Sequence, residues 1–365
     1  MTWIILITIF GGLSLLAFTG KFSKKQIKVL TYTALIVFAF IYEPSPKADM
    51  YRFHESILFM KRFGSDAAYE RLSYIYENSQ AFFVIMKIFS YLPISLFFPV
   101  ALLSTYGVLL AIFFDFTDNF ELTKHQFAMI YSFFLCCLNF GIVFSIMRYF
   151  IAYCIGIAGI YIWFRKGTGF LGRAFSLFMI IVPTYIHASG FIILLMWLLI
   201  IFYHIKSVRI LSVFIPFLMA FSEKVISITD RFFRSIPLYR FIVDKFLRYS
   251  EENFVDMFNR TRLFSYQLLA FIVISFIVIK ISKYENKKYI AFNIMYMLVL
   301  LFTIAYVPNN TMFFRMFQIL IAMTPMYFAE NNAVFSKSNG MQLFMLAECV
   351  TMLCFYGRFS TYFYL

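Results

Sequence analysis

Six of the charged or proton-carrying side chains in this strongly apolar chain stand out as candidates for chemistry: Arg148, His187, Arg315, Asp49, Arg52 and Arg240. Arginine stays protonated at any working pH, and its planar fork matches two oxygens of a phosphate at once. Histidine exchanges its proton near neutrality. Ionisable groups inside membrane segments are rare, and each is a candidate functional site. For any one of them taken alone, the competing reading is a long side chain that snorkels to the interface.

The elements that must position these residues centre on Phe144 to Gly190. That stretch holds two apolar segments separated by the short basic loop Arg165–Arg173, with Arg148 opening the first segment and His187 closing the second. The whole chain has the same character. Of 365 residues, 62% are hydrophobic and 14% charged, and the mean hydropathy is +0.81. An average globular chain is roughly 45–50% apolar and about 25% charged, so a soluble fold has too little polar surface to offer here. The composition predicts an all-α, polytopic integral membrane protein, with residues 1–365 forming a single transmembrane domain. The net charge of +14 is partly explained by lysines and arginines that anchor cytoplasmic loops, and no nucleic-acid partner is expected. Cys136, Cys137, Cys154, Cys349 and Cys354 all lie in apolar segments without metal-type spacing, which reads as small buried hydrophobes.

In chain order, Met1 to Phe18 is expected to be an uncleaved first span, because no basic leader and no small-residue cleavage motif precede the lysines. Lys21, Lys24, Lys25 and Lys28 mark a cytoplasmic loop, and Val29 to Tyr42 crosses outward. Residues 43–94 form the first extracytoplasmic loop. In it Met50, Phe53, Ile57, Met60 and Phe63 make one helical stripe, while Asp49, Arg52 and Ser56 share another face, either solvated or turned to a substrate. Ala81 to Leu92 is too short to span and reads as re-entrant. Ser95 to Phe116, Phe127 to Phe144 and Ile151 to Phe164 follow as spans. The turn Asp115–Lys124 falls on the cytoplasmic side although it is net acidic.

Ala174 to Tyr203 is too long for one crossing. Its 30 residues would make a helix of about 45 Å against a hydrocarbon core of about 30 Å. Pro183 and the polar run TYIHAS interrupt it. It is either one tilted helix kinked at Pro183 or two short helices, Ala174–Ile186 and Gly190–Tyr203, with His187 at the break. The hairpin places Arg173, Lys206 and Arg209 on one side, as positive-inside bias prefers. It also puts His187 on the side of Arg148.

Ile210 to Phe221 then leads out to a second extracytoplasmic loop, 223–264. This loop carries Lys224, Arg231, Arg234, Arg240, Lys245, Arg248, Arg260 and Arg262 among aromatics, as an anion-holding surface or a solvated pair of amphipathic helices. Ser265–Ile279, Ile290–Val307, Met312–Ala329 and Met341–Tyr356 complete roughly 12 (10–12) crossings. Arg148, His187 and Arg315 then share the outer ends of their helices. Their convergence suits an anionic, lipid-borne group, with arginines on a diphosphate and the apolar frame around a lipid tail.

These residues also carry a likeness. An aspartate-x-x-arginine (Asp49 to Arg52), a lone arginine opening a span (Arg148), the basic loop Arg165–Arg173, a histidine-x-serine (His187 to Ser189) and a late arginine after a polar turn (Arg315 in NNTMFFRMF) follow in order. Together they resemble the EpsG/Wzy-type polysaccharide polymerases, from about Lys47 to Phe328. Ala188 departs from the family pattern, which often has an aromatic there.

The resemblance implies a helical architecture similar to multi-span glycosyltransferases of the GT-C type, in the bacterial cytoplasmic membrane, with the site facing the periplasm or exterior. It implies transfer of a growing glycan from its polyprenyl diphosphate to a sugar hydroxyl of an incoming lipid-linked repeat. A chain-length regulator and a flippase would be further partners. On that chemistry Arg148 and Arg315 stabilise the leaving diphosphate, with Arg52 as a weaker third and Arg240 as a further substrate contact. One such electrostatic contact is worth roughly 3–4 kcal/mol. His187 is the candidate general base or a hydrogen-bond donor to the diphosphate, and Asp49 is the alternative base. Such bases contribute about 10²–10⁴-fold. No cofactor is expected, and the scattered histidines offer no metal site. A lipid-linked oligosaccharide flippase and an O-antigen ligase are the rival functions; no repeat of the kind transporters show relates the two halves.

Overall fold

Two helix starts carry the same two-residue device. Ser23 Oγ accepts from Gln26 N (3.3 Å) while Ser23 N donates to Gln26 Oε1 (2.8 Å), capping α2 (Lys24–Ile41). Gln126 N donates to Thr123 Oγ1 (3.2 Å) and Thr123 N to Gln126 Oε1 (2.8 Å), capping α7 (Lys124–Cys137). Each satisfies two backbone donors that a helix start leaves open.

The computed structural model describes residues 2–42, 49–76, 79–120, 122–137, 146–165, 167–187, 189–220, 290–306 and 310–330. These residues are helical, with no strand among them. In order come α1 (Thr2–Thr19), α2, α3 (Asp49–Phe63), α4 (Ser65–Tyr76), α5 (Gln80–Ser90), α6 (Ile94–Asn119), α7 and α8 (Met147–Phe164). Then follow α9 (Phe170–Ile181), α10 (Pro183–Ile186), α11 (Gly190–Ile201), α12 (Lys206–Ala220), α13 (Ile290–Ala305) and α14 (Asn310–Glu330). The second loop with Arg240 and the expected spans Ser265–Ile279 and Met341–Tyr356 lie outside the described residues. Among the described residues two helices are long and apolar enough to cross a membrane, α6 with 26 residues and α8 with 18. The other apolar helices are 10–17 residues long, because polar caps and breaks divide the apolar runs.

The chain forms two units: Met1–Leu194 with Ala322–Leu365, and Leu195–Ile321. In the first, α6 is interrupted by a π-helical turn at Leu103–Gly107, and Tyr32 on α2 donates to the Gly107 carbonyl (2.7 Å). Opposite faces of α8 do not need to separate α9 from α11, because both lie close on glycines. Ser176 Oγ on α9 donates to Gly159 O (2.6 Å), and a Cβ at Gly156 would meet Ile193 of α11 at 2.4 Å. Such absences of side chain let helix backbones approach closely. From α9 to the end of α10 the partners on α8 run backwards, Ser176 at Gly159 and His187 at Tyr149. Along α11 they run forwards, from the Ser189 carbonyl at Tyr153 to Ile193 at Gly156. The chain therefore reverses at His187, and the single kinked helix is excluded.

The turn that is net acidic finds its charges matched. The Tyr161 hydroxyl donates to Asp115 Oδ2, Arg165 Nη2 lies 3.1 Å from Asp115 Oδ1, and Lys24 Nζ donates to Thr117 O (2.6 Å) with Asp118 at 3.9 Å. Lys124 Nζ donates to Gly20 O (3.1 Å). Basic residues of the flanking loops thus gather at the same end as the acidic turn. Burial pushes the Lys24 ammonium below its ordinary range, against the opposing pull of Asp118.

In the second unit α12 packs on α13. Thr303 of α13 returns its hydroxyl to Val299 O (2.7 Å), which satisfies a buried polar group within its own helix.

Candidate functional site

Four pieces of the first unit meet at the N-terminal end of α8. The first is the start of α8 itself. Ile146 offers no side-chain cap and the first turn holds no acidic residue, so Arg148 stands at the positive pole of the helix dipole. Cations are disfavoured there by about 0.3–1 kcal/mol, and anions favoured by as much.

The second piece is α5. Its preceding residue Ser79 is 4% exposed and makes no side-chain cap to the helix. Ser79 Oγ instead accepts a long hydrogen bond from Arg148 Nη1 at 3.5 Å. The third piece is α3, whose Phe53 ring lies beneath the Arg148 guanidinium at 5.4 Å. A desolvated arginine over an aromatic face is attracted by the ring quadrupole. Phe53 is held in turn edge-on against Phe82 of α5 at 4.7 Å.

The stripe expected on α3 is buried at Met50, Phe53, Ile57 and Met60, but Phe63 is exposed. The helix ends there, because Gly64 takes φ +88° and turns the chain before Phe63 can pack. Asp49 at the edge of that stripe and Arg52 beyond it pair with each other, Arg52 Nη2 donating to Asp49 Oδ1. Arg52 is exposed and Asp49 half-buried.

The fourth piece is the reversal between α10 and α11. Pro183 can start a short helix because it needs no donor there, and His187 N closes it on Pro183 O (3.0 Å). His187 then takes extended backbone, φ −149° and ψ 142°, and Gly190 N donates back to His187 O (2.9 Å). Only glycine fits at 190: a Cβ would lie 2.1 Å from the Pro183 carbonyl oxygen. The His187 imidazole is 5% exposed. Its Nδ1 lies 2.7 Å from Ser189 Oγ and accepts from Ser189 N at 3.2 Å. The ring stands edge-on to Tyr149, centroids 5.5 Å apart at 89°. Tyr149 stacks on Tyr153 at 4.3 Å, and the Tyr153 hydroxyl donates to Ser189 O (3.3 Å).

His187 thus packs on the residue next to Arg148, and Arg148 reaches α3 and α5. Arg315 belongs to the other unit, six residues into α14, where its Nε and Nη1 atoms are buried. Arg240 lies outside the described residues. Ser79, Tyr149 and Tyr153 were not singled out by sequence. The tyrosines' four-residue spacing directly after Arg148 was the available signal; Ser79 had none. Among the described residues no group of three or more His, Cys, Asp or Glu is placed to hold a metal.

The cluster offers a cation at a helix N-terminus, where an anion is favoured, and a buried, oriented imidazole packed on the adjoining residue Tyr149. No family model, no curated protein and no solved structure matches this chain.

Proposed function

We propose that this protein is a polytopic membrane glycosyltransferase that polymerises polyprenyl-diphosphate-linked oligosaccharide repeats. Spans number roughly 10–12 on the hydropathy reading, and the Arg148–His187 end faces away from the cytoplasm. The observation that carries the reading is the siting of Arg148. A half-buried guanidinium in the first turn of a helix start that has no side-chain cap and no acidic residue adds its charge to the positive pole of the helix, and both favour an anion there. A lipid diphosphate is such an anion. Support for the membrane setting comes from the outward faces of the helices. On α9, Phe170 and Leu171 are 86% and 82% exposed, with Phe175 and Phe178 exposed further along and Tyr185 exposed on α10. A run of this kind is unfavourable in water and at home in hydrocarbon.

In the proposed step the acceptor hydroxyl oxygen attacks the anomeric carbon of the growing glycan. The bond from that carbon to the diphosphate oxygen breaks with its electron pair, and Arg148 meets the charge that develops. Arg315 is assigned the same role, with Arg52 and Arg240 as further substrate contacts. Asp49 is a weaker candidate base, since it pairs with Arg52.

The test is complementation of a bacterial strain that lacks its repeat-unit polymerase and makes the cognate repeat. Surface glycan is resolved on a gel for wild type and for Arg148→Ala. A ladder with wild type and a single-repeat band with the variant is expected. Failure of wild type to restore any ladder refutes the polymerase reading. Loss of all surface repeats on deletion of the native gene points instead to a flippase or a ligase.

A further inference from the structure

The reversal at His187 contains a feature that decides which proton the imidazole carries. A serine hydroxyl can turn to donate or accept, so the 2.7 Å approach of Ser189 Oγ to Nδ1 fixes nothing alone. A backbone amide cannot turn. Ser189 N–H points at the same nitrogen from 3.2 Å, and a proton on Nδ1 would face that amide proton. Nδ1 must therefore keep its lone pair.

The turn that aims the amide is held from three sides. Gly190 N donates to His187 O (2.9 Å), Ile192 N donates to Ser189 O (2.9 Å), and the Tyr153 hydroxyl donates to Ser189 O (3.3 Å). The imidazole has little room to swing away, being packed against Tyr149 and 5% exposed.

We infer that His187 is held as the neutral Nε2–H tautomer and serves the site as a hydrogen-bond donor from Nε2, not as a general base, with Ser189 and Tyr153 as the residues that position it. The tautomer stands on geometry alone. The donor's target, an oxygen of the substrate phosphate near Arg148, rests on the function proposed above. In that step His187 ends with the protons it began with. The hydrogen lost by the acceptor hydroxyl departs on an oxygen of the released diphosphate, so no other acid or base is consumed.

Two measurements on the full-length protein separate the two layers. The first is ¹⁵N NMR of histidine-labelled protein in nanodiscs at neutral pH. The chain has four histidines, His54, His125, His187 and His204, and the His187 signals are assigned by their disappearance in His187→Gln. An unprotonated Nδ1 with a protonated Nε2 is expected. A protonated Nδ1, in the other tautomer or in the imidazolium, overturns the inference whether or not the protein makes polymer. Tyr153→Phe should leave the ring packed and broaden or mix the tautomer signals; an unchanged sharp spectrum removes Tyr153 from the positioning set.

The second is the glycan ladder. The glutamine amide nitrogen reaches the position of Nε2, whereas that of asparagine does not. His187→Gln should keep polymer formation within about tenfold of wild type, and His187→Asn and His187→Ala should lose about 10²–10³-fold, the worth of one oriented donor. Glutamine as inactive as alanine, in a protein inserted at normal level, overturns the donor role. Absence of polymer from wild type refutes the polymerase reading and leaves the NMR result to judge the tautomer.

Discussion

Replacing Gly190 with alanine tests whether the reversal at His187 is built as described. The added methyl would lie 2.1 Å from Pro183 O, 2.2 Å from Pro183 C and 2.7 Å from Thr184 N. Ordinary contact begins near 3.4 Å, so 3.4 Å less 2.1 Å leaves about 1.3 Å of movement to be found. All three obstacles are backbone, and no side chain can swing aside. Overpacking that side chains can absorb costs about 1–3 kcal/mol. Here the two arms must part, and the bonds His187 N to Pro183 O and Gly190 N to His187 O weaken with them, at about 1 kcal/mol each. A total of about 3–5 kcal/mol follows from those two terms. Thermal unfolding in detergent, followed by intrinsic fluorescence, reads the loss as a large fall in midpoint. Gly12→Ala is the control, since a Cβ there meets nothing within 4 Å. A Gly190→Ala protein that melts with wild type would refute the close approach and the reversal drawn from it.

Gly156→Ala should also destabilise, because its methyl meets Ile193 Cγ2 at 2.4 Å. This obstacle is a side chain, so Gly156→Ala with Ile193→Ala should lose at least ~1 kcal/mol less than the two single changes summed; strict additivity would show that α8 and α11 do not touch there. Arg148→Lys should be nearly as defective in the glycan ladder as Arg148→Ala, because an ammonium does not reproduce the fork; a full ladder from lysine would remove the bidentate role. Burial lowers the Lys24 pKa below 10.5, so the unfolded chain holds the proton over the interval between the folded value and 10.5. Stability from this group therefore rises with pH across that interval, and Lys24→Gln should flatten the rise in an unfolding series from pH 7 to 10.5; an identical slope would discount the burial. Polymer formation in membranes treated with EDTA should match that with added Mg²⁺. Loss on chelation, restored by a divalent ion, would require a metal in the step.

The break at His187 was legible in the sequence because length and chemistry agreed. A run too long for one crossing, a proline and a polar patch all fell within a few residues. The buried stripe of α3 was legible for the same reason, as spacing alone sets which residues share a face. Phe63 misled because a stripe gives no sign of where its helix stops. The reversal itself was open in sequence, since charge bias distinguishes sides and not contacts. What fixes it are Gly156, Gly159 and Gly190, and a glycine in an apolar run looks the same whether a neighbour lies on it or not. Ser79 was silent for a related reason: its hydroxyl leaves its own helix for Arg148, a choice made only once α5 and α8 are side by side. The histidine and the arginine were visible as rare residue types. Which atom of the histidine bears hydrogen was not, because that depends on where one backbone amide points.

The acidic turn after α6 bears on how the chain enters a bilayer during synthesis. Asp115 takes its partners from 46 and 50 residues downstream, whereas the neighbouring Thr117 carbonyl is met by a lysine 93 residues upstream. When α6 leaves the ribosome, Lys24 already exists and Arg165 does not. The contacts at this end of α6 therefore become available in an order set by translation: the lysine of α2 is made before α6, and the tyrosine and arginine that meet Asp115 are made after it.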